Sequence, residues 1–186
     1  MAKTRINAII EDTRQQDGKH DHVNAWFHAA GIRVVRTEML VGDYTLPTNQ
    51  SVCVDTKYGL SEVYGNLVVS HDRFRAECVL AHDLGIKLIV LVEEDKIREL
   101  TDVDKWVNPR AESYEFLQRA QAHGMLTERK LPNKPPISSD RLRRMMQTMT
   151  ERYGVEWRFC SKARTAETIV ELLGGDDDGK GQTATG

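Results

Sequence analysis

Val41-Gly42-Asp43-Tyr44-Thr45-Leu46-Pro47-Thr48-Asn49-Gln50-Ser51-Val52-Cys53-Val54-Asp55-Thr56-Lys57 is the stretch around which the chain is organised. Its one turn-rich cluster, Pro47-Thr48-Asn49-Gln50, lies between two alternating runs, which predicts a β-hairpin. With the turn centred on Asn49, Tyr44 faces Val54 and Leu46 faces Val52. The same register sets Asp43 opposite Asp55, with Lys57 two residues further along. Directly opposed residues have Cβ atoms roughly 4.5–5.5 Å apart, and like charges placed there repel. A hairpin with only a structural role is expected to avoid such a pair, whereas magnesium and manganese prefer carboxylate oxygens. Asp55 and Lys57 alternate on the strand and so share a face. A carboxylate pair beside an ammonium meets the needs of metal-assisted phosphodiester hydrolysis, with Asp12 or Glu11 as a further acid. Asp-x-Lys is also a common surface ion pair, and at this point both readings stand.

Working outward, Ile6-Asn7-Ala8-Ile9-Ile10 reads as a strand buried on both faces, running into Glu11-Asp12-Thr13-Arg14. Gln15–Lys19 reads as a loop. Asp21 opens a helix that Gly31 ends, with Val23, Trp26 and Phe27 at helical spacing. Ile32–Arg36 is a second strand. After the hairpin, Leu60, Val63, Tyr64 and Leu67 recur at i, i+3, i+4 and i+7, the mark of an amphipathic helix. A further helix runs from about Asp72 to Leu84. Ile86–Val92, the most hydrophobic run, predicts a central strand ending at Glu93-Glu94-Asp95. Residues 113–122 have helical character, and Leu131–Pro136 reads as a loop or extended proline-rich stretch. Asp140–Tyr153 is a helix stopped by Gly154, Val155–Cys160 a strand, and Ala166–Leu173 a last amphipathic helix. The order β-α-β-β-β-α-α-β, then α-β-α, implies an α/β mixed sheet with helices on both faces. The expected organisation is a core over residues 1–95, a C-terminal extension over 96–173 packed on it, and a disordered tail over 174–186.

A chain of 186 residues is long enough to bury a real core. Its net charge of −2 neither favours nor excludes a nucleic-acid partner, so local patches decide. The three cysteines, Cys53, Cys78 and Cys160, are widely spaced, which fits a reducing compartment and argues against zinc or a disulfide framework. The N-terminus does not read as a signal peptide, and no apolar run approaches the roughly 20 residues that span a bilayer. Arg73 and Arg75, near the start of their helix, can reach phosphates or can be ordinary solvated charges. Arg129, Lys130, Lys134, Arg141, Arg143 and Arg144 form a basic cluster that either tracks a nucleic-acid backbone or is surface charge.

Several of these segments, in order, resemble the nuclease domain of the XPF family of structure-specific DNA endonucleases. Ile9-Ile10-Glu11-Asp12-Thr13-Arg14-Gln15 resembles its Val-Val-Asp-x-Arg-Glu start, and Ala30-Gly31-Ile32 its Gly-Ile before the second strand. Val41-Gly42-Asp43-Tyr44 matches its Val-Gly-Asp-Tyr, and Val54-Asp55-Thr56-Lys57 stands where it has Val-Glu-Arg-Lys. Asp72-Arg73-Phe74-Arg75-Ala76-Glu77 resembles its Gly-Arg-Phe/Leu-x-x-Gln segment, and Leu88–Glu93 its following buried strand. The resemblance covers about half of the chain, Ile6 to Asp95.

The resemblance implies a restriction-endonuclease-like mixed β-sheet. It also implies Mg2+- or Mn2+-dependent hydrolysis of DNA phosphodiester bonds, in branched or structured DNA during repair, recombination or replication. It places Asp43, Asp55, Lys57 and Asp12 in catalysis, and Asp43, Asp55 and the Thr56 carbonyl on the metal. Arg14, Arg73 and Arg75 are placed on DNA. It further implies a possible homodimer and a cytoplasmic, nucleoid-associated place in a bacterial cell or phage-infected host. The departures are a shorter acid at Asp55, a neutral Thr56 where the family has arginine, Ser61 where it has a later aspartate, and Gln15 for a glutamate. They keep open a non-catalytic DNA-binding scaffold of the same fold, and an enzyme that reads sequence rather than DNA shape.

Overall fold

The structure is a computed structural model, and it describes residues 6–14, 18, 21–125 and 131–174. The expected loop at 15–19 (Gly18 apart), the tail from 175 onward, and Arg129 and Lys130 of the basic cluster lie outside the described residues.

Six strands form one sheet: β1 (Ala8–Asp12), β2 (Arg33–Thr37), β3 (Tyr44–Leu46), β4 (Asn49–Lys57), β5 (Lys87–Glu93) and β6 (Glu156–Cys160). They lie in the order β2-β1-β3-β4-β5-β6. β1 runs parallel to β2 and antiparallel to β3, the β3–β4 pair is antiparallel, and β4, β5 and β6 run parallel. The expected α/β mixed sheet with helices on both faces is therefore observed. Against one face lie α1 (Asp21–Ala29) and α6 (Thr165–Gly174), where Val23, Phe27, Ile169 and Leu173 meet Ile9, Tyr44, Val54, Ile89 and Leu91. Against the other lie α2 (Leu60–Tyr64), α3 (His71–Asp83) and α5 (Ser139–Tyr153), whose Leu60, Phe74, Cys78, Leu142 and Met146 cover Leu88, Val90 and Val92. Alternate residues of β5 thus feed two separate cores, as the period of a strand requires. α4 (Pro109–Ala122) is capped by the Asn108 side chain and buries only Ala120.

β6 is hydrogen-bonded to β5, and α6 packs on the same core as α1, so residues before and after position 95 build one sheet and its two covering layers. Gly154 adopts a left-handed conformation and ends α5, as the sequence predicts. Leu60–Leu67 is not one α-helix. After Tyr64 the chain widens into a π-turn over Gly65–Val69, with Ser70 N–H donating to Gly65 O at 2.8 Å. Among the described residues no helix is long and apolar enough to cross a membrane.

The hairpin forms, but its register holds only near the site. Tyr44 pairs with Val54 and Thr45 with Cys53, while Leu46 pairs with Asn49 rather than Val52. Residues 50–52 therefore bulge from β4 and the turn tightens to Pro47-Thr48. Side chains hold the bulge. The Thr45 hydroxyl donates to Val52 O at 2.8 Å, and the Asn49 side chain accepts from the Ser51 amide at 3.1 Å and hydroxyl at 2.6 Å.

Candidate functional site

β4 brings Asp55 and Lys57 onto the face that carries Val90 and Val92, and α3 covers them. Lys57 Nζ donates to Asp55 Oδ1 at 2.7 Å and lies 2.6 Å from Oδ2, and it sits 5.9 Å from the centre of the Phe74 ring. Both side chains are nearly buried, at 11% and 5% exposure for Lys57 and Asp55. Oδ2 of Asp55, though close to the ammonium, accepts no properly directed hydrogen bond. Burial pushes the Asp55 carboxyl up to about 8, helped by the charges of Asp43 and Glu77 and opposed by Lys57. Burial alone would lower the Lys57 ammonium, but Asp55 and Asp43 outweigh it and hold the ammonium above its ordinary range.

The β3–β4 ladder stops at Tyr44–Val54, one pair short of Asp43 and Asp55. Gly42, at φ 71°, turns the chain away there. The Asp43 side chain takes over where the ladder ends. Its Oδ2 accepts from the Thr56 amide at 2.8 Å and the Thr56 hydroxyl at 2.6 Å. Asp43 is half-buried, and its remaining oxygen accepts no hydrogen bond among the described residues.

Asp12 is on the neighbouring strand, and its amide donates to Asp43 O at 2.9 Å. Its carboxylate is engaged locally. It accepts from Arg14 Nε at 2.8 Å, from the Arg14 amide at 3.1 Å and from the Met39 amide at 3.4 Å. Arg14 also donates to Met39 O at 2.5 Å, and its hydrogen bond to Asp12 raises it above its ordinary range. Glu11 points to the opposite face, where Tyr44, Asn24 and Arg36 hold it.

The structure thus brings together Asp43, Asp55, Thr56 and Lys57, with Asp12 and Arg14 beside them through the backbone. It gives Arg73 and Arg75 different surroundings. Arg75 Nε donates to Tyr153 OH at 2.9 Å, while Arg73 is exposed and has no polar partner among the described residues. In the described part of the basic cluster, Arg143 pairs with Asp104 and Arg144 with Asp140. His22 lies 3.8 Å from Glu93. The sequence resemblance places Glu77 at the family's glutamine in Asp72–Glu77 but gives it no role. Its Oε1 accepts from the Gly42 amide at 3.0 Å, and its charge acts on Asp55 and Arg14. The available signal was its place three residues after buried Phe74, on the side of α3 that faces the sheet.

Among the described residues, buried Asp55 Oδ2 and the second oxygen of Asp43 are acceptors without hydrogen bonds. Carboxylate oxygens suit a hard divalent cation such as Mg2+ or Mn2+, so the donor set fits one. Among the described residues no group of three or more His, Cys, Asp or Glu converges for a metal, so the fit rests on these two acids.

Sheet order, covering helices and the acid-bearing central hairpin together define a restriction-endonuclease-like α/β fold. Within that class the chain is similar to XPF from Aeropyrum pernix, with a TM-score of 0.56 at 16% identity over 90% of this chain and 63% of that one. It matches the same protein in complex with DNA at a TM-score of 0.55 and 17% identity, with the same coverage. The chain therefore spans less than two thirds of the length of either. No protein-family model matches the chain, and no curated protein matches it.

Proposed function

We propose that this protein is a divalent-metal-dependent DNA endonuclease that acts on branched or structured DNA. The observation that carries the reading is the buried Asp55–Lys57 pair beside Asp43, at the end of a β-ladder in an XPF-like fold. Asp43 and Asp55, with the Thr56 carbonyl, would hold Mg2+ or Mn2+. Such an ion supplies Lewis-acid stabilisation of phosphoryl oxygens and a nucleophile at neutral pH. The chain's own residues do the rest. The Lys57 ammonium is held charged by two acids and offers a fixed donor to a phosphate oxygen in a site of low dielectric. Thr56 orients Asp43 through two hydrogen bonds, so that carboxylate needs little reorganisation. Arg14, anchored by Asp12, and exposed Arg73 are the cations assigned to the DNA backbone.

The test is cleavage of a panel of flaps, forks, junctions and plain duplex by the full chain with Mg2+ or Mn2+. Cleavage of branched substrates that stops in excess chelator is expected. Cleavage that persists in chelator excludes the proposal, and equal cleavage of plain duplex at one sequence points to sequence reading.

A second reading has an observation in its favour. Asp43 is held by Thr56 and Asp55 by Lys57, so both acids have partners without a cation. A non-catalytic DNA-binding scaffold could keep this arrangement. Magnesium titration followed by NMR separates the two, because a scaffold shows no shift at Asp43 or Asp55.

A further inference from the structure

We infer that Glu77 is a positioning residue for the site, holding the Gly42–Asp43 turn from helix α3 so that Asp43 stands beside Asp55. This rests on the nuclease reading above. Gly42 lies in the left-handed region, where a side chain would be strained, and a Cβ there would come within 3.1 Å of Cys53 Cβ and 3.2 Å of Val54 O. The turn is thus pressed against β4. Asp43 is tied to the sheet on three sides: its amide to Val54 O at 2.8 Å, its carbonyl to the Asp12 amide at 2.9 Å and its carboxylate to Thr56. Among the described residues the preceding peptide has one anchor, Glu77 Oε1, which accepts from Gly42 N–H at 3.0 Å.

Among the described residues Glu77 is the only side chain of α3 that hydrogen-bonds to the hairpin segment. Phe74 and Cys78 on either side of it are buried, so the helix that carries it is fixed by the core. A rigid element thereby reaches the turn that carries Asp43 through one hydrogen bond to a side-chain oxygen. Asp43 belongs to the proposed metal site, and Glu77 acts on it through Gly42 rather than by touching substrate.

Two variants of the full chain separate this role from a merely structural one. Glu77→Ala removes the acceptor, whereas Glu77→Gln keeps an acceptor oxygen and removes the charge. Amide hydrogen exchange at Gly42 and Asp43, read on metal-free protein, is expected to quicken at least tenfold in Glu77→Ala and to return to wild type in Glu77→Gln. Steady-state cleavage with Mg2+ is expected to lose at least tenfold in kcat in Glu77→Ala with KM for DNA nearly unchanged, and to recover in Glu77→Gln. Wild-type exchange and kcat in Glu77→Ala overturn the proposal, as does Glu77→Gln behaving like Glu77→Ala. Faster exchange with kcat unmoved reduces Glu77 to a structural contact. If the wild-type protein cuts no DNA with either metal, the nuclease reading itself fails and the positioning role falls with it.

Discussion

Asp55 and Lys57 are coupled closely enough that neither can be removed alone without consequence. Above about pH 8, where the Asp55 carboxyl is ionised, Asp55→Ala would leave a buried ammonium with Asp43 as its main counter-charge, and breaking a buried pair this way costs about 3–5 kcal/mol. Asp55→Asn keeps the size and an acceptor oxygen for Lys57, so urea denaturation is expected to show a smaller loss. The pair also sets a pH dependence in metal-free protein. Burial raises the Asp55 carboxyl from its ordinary range to about 8, so between about pH 4 and pH 8 the folded state binds a proton that the unfolded state does not. Stability from this group is therefore greatest below pH 4 and declines as pH rises towards 8. Lys57, raised rather than lowered, stays charged in both states across that window and adds no slope. Denaturation midpoints from pH 5 to pH 8 are expected to fall more steeply in wild type than in Asp55→Asn, and identical slopes would count against the assignment. Burial likewise pushes the Cys78 thiol up to about 12, so iodoacetamide at pH 8 is expected to label it only on unfolding.

At the scale of the element, the hairpin and α3 act together. Gly42→Ala places a Cβ against Cys53 and Val54 in a left-handed conformation, a cost of about 1–2 kcal/mol from the backbone alone, measurable by urea denaturation. What the sequence reveals of the hairpin ends where side-chain contacts take over. Tyr44 opposite Val54 follows from alternation around a turn, and that part of the register is present. Leu46 opposite Asn49 depends on the Thr45 hydroxyl and the Asn49 side chain, which bind backbone that no hydrophobic pattern records. Similarly, i, i+3, i+4 and i+7 spacing marks one face from Leu60 to Leu67 but is blind to the wider turn at Gly65. The role of Glu77 was hidden for a different reason. Its partner Gly42 is 35 residues away, and only tertiary packing brings them together.

For the whole molecule, the strands β1, β5 and β6 and the helices α1, α5 and α6 were legible because their patterns are local and long. Apolar runs, caps and glycine stops agree there with the tertiary fold. The joining of β6 to β5 was not legible, since a parallel pairing across more than 60 residues of intervening chain leaves no local mark. That pairing makes the C-terminal segment part of the structure under the site, because Leu142 and Met146 of α5 share a core with Phe74 and Cys78 of α3. Met146→Ala is expected to cost about 2–5 kcal/mol. It should lower the midpoint of one transition seen alike by far-UV and tryptophan signals, whereas two separate transitions would show that the C-terminal part folds independently.

The central claim is that Asp43, Asp55 and Lys57 form a metal-dependent phosphodiester-cleaving site, and single-turnover cleavage of a branched DNA by wild type and Asp55→Asn tests it most directly. With Mg2+, wild type is expected to cut, and Asp55→Asn to lose at least a hundredfold in rate while binding the same DNA with nearly unchanged affinity. An Asp55→Asn protein that cuts at the wild-type rate would contradict the account.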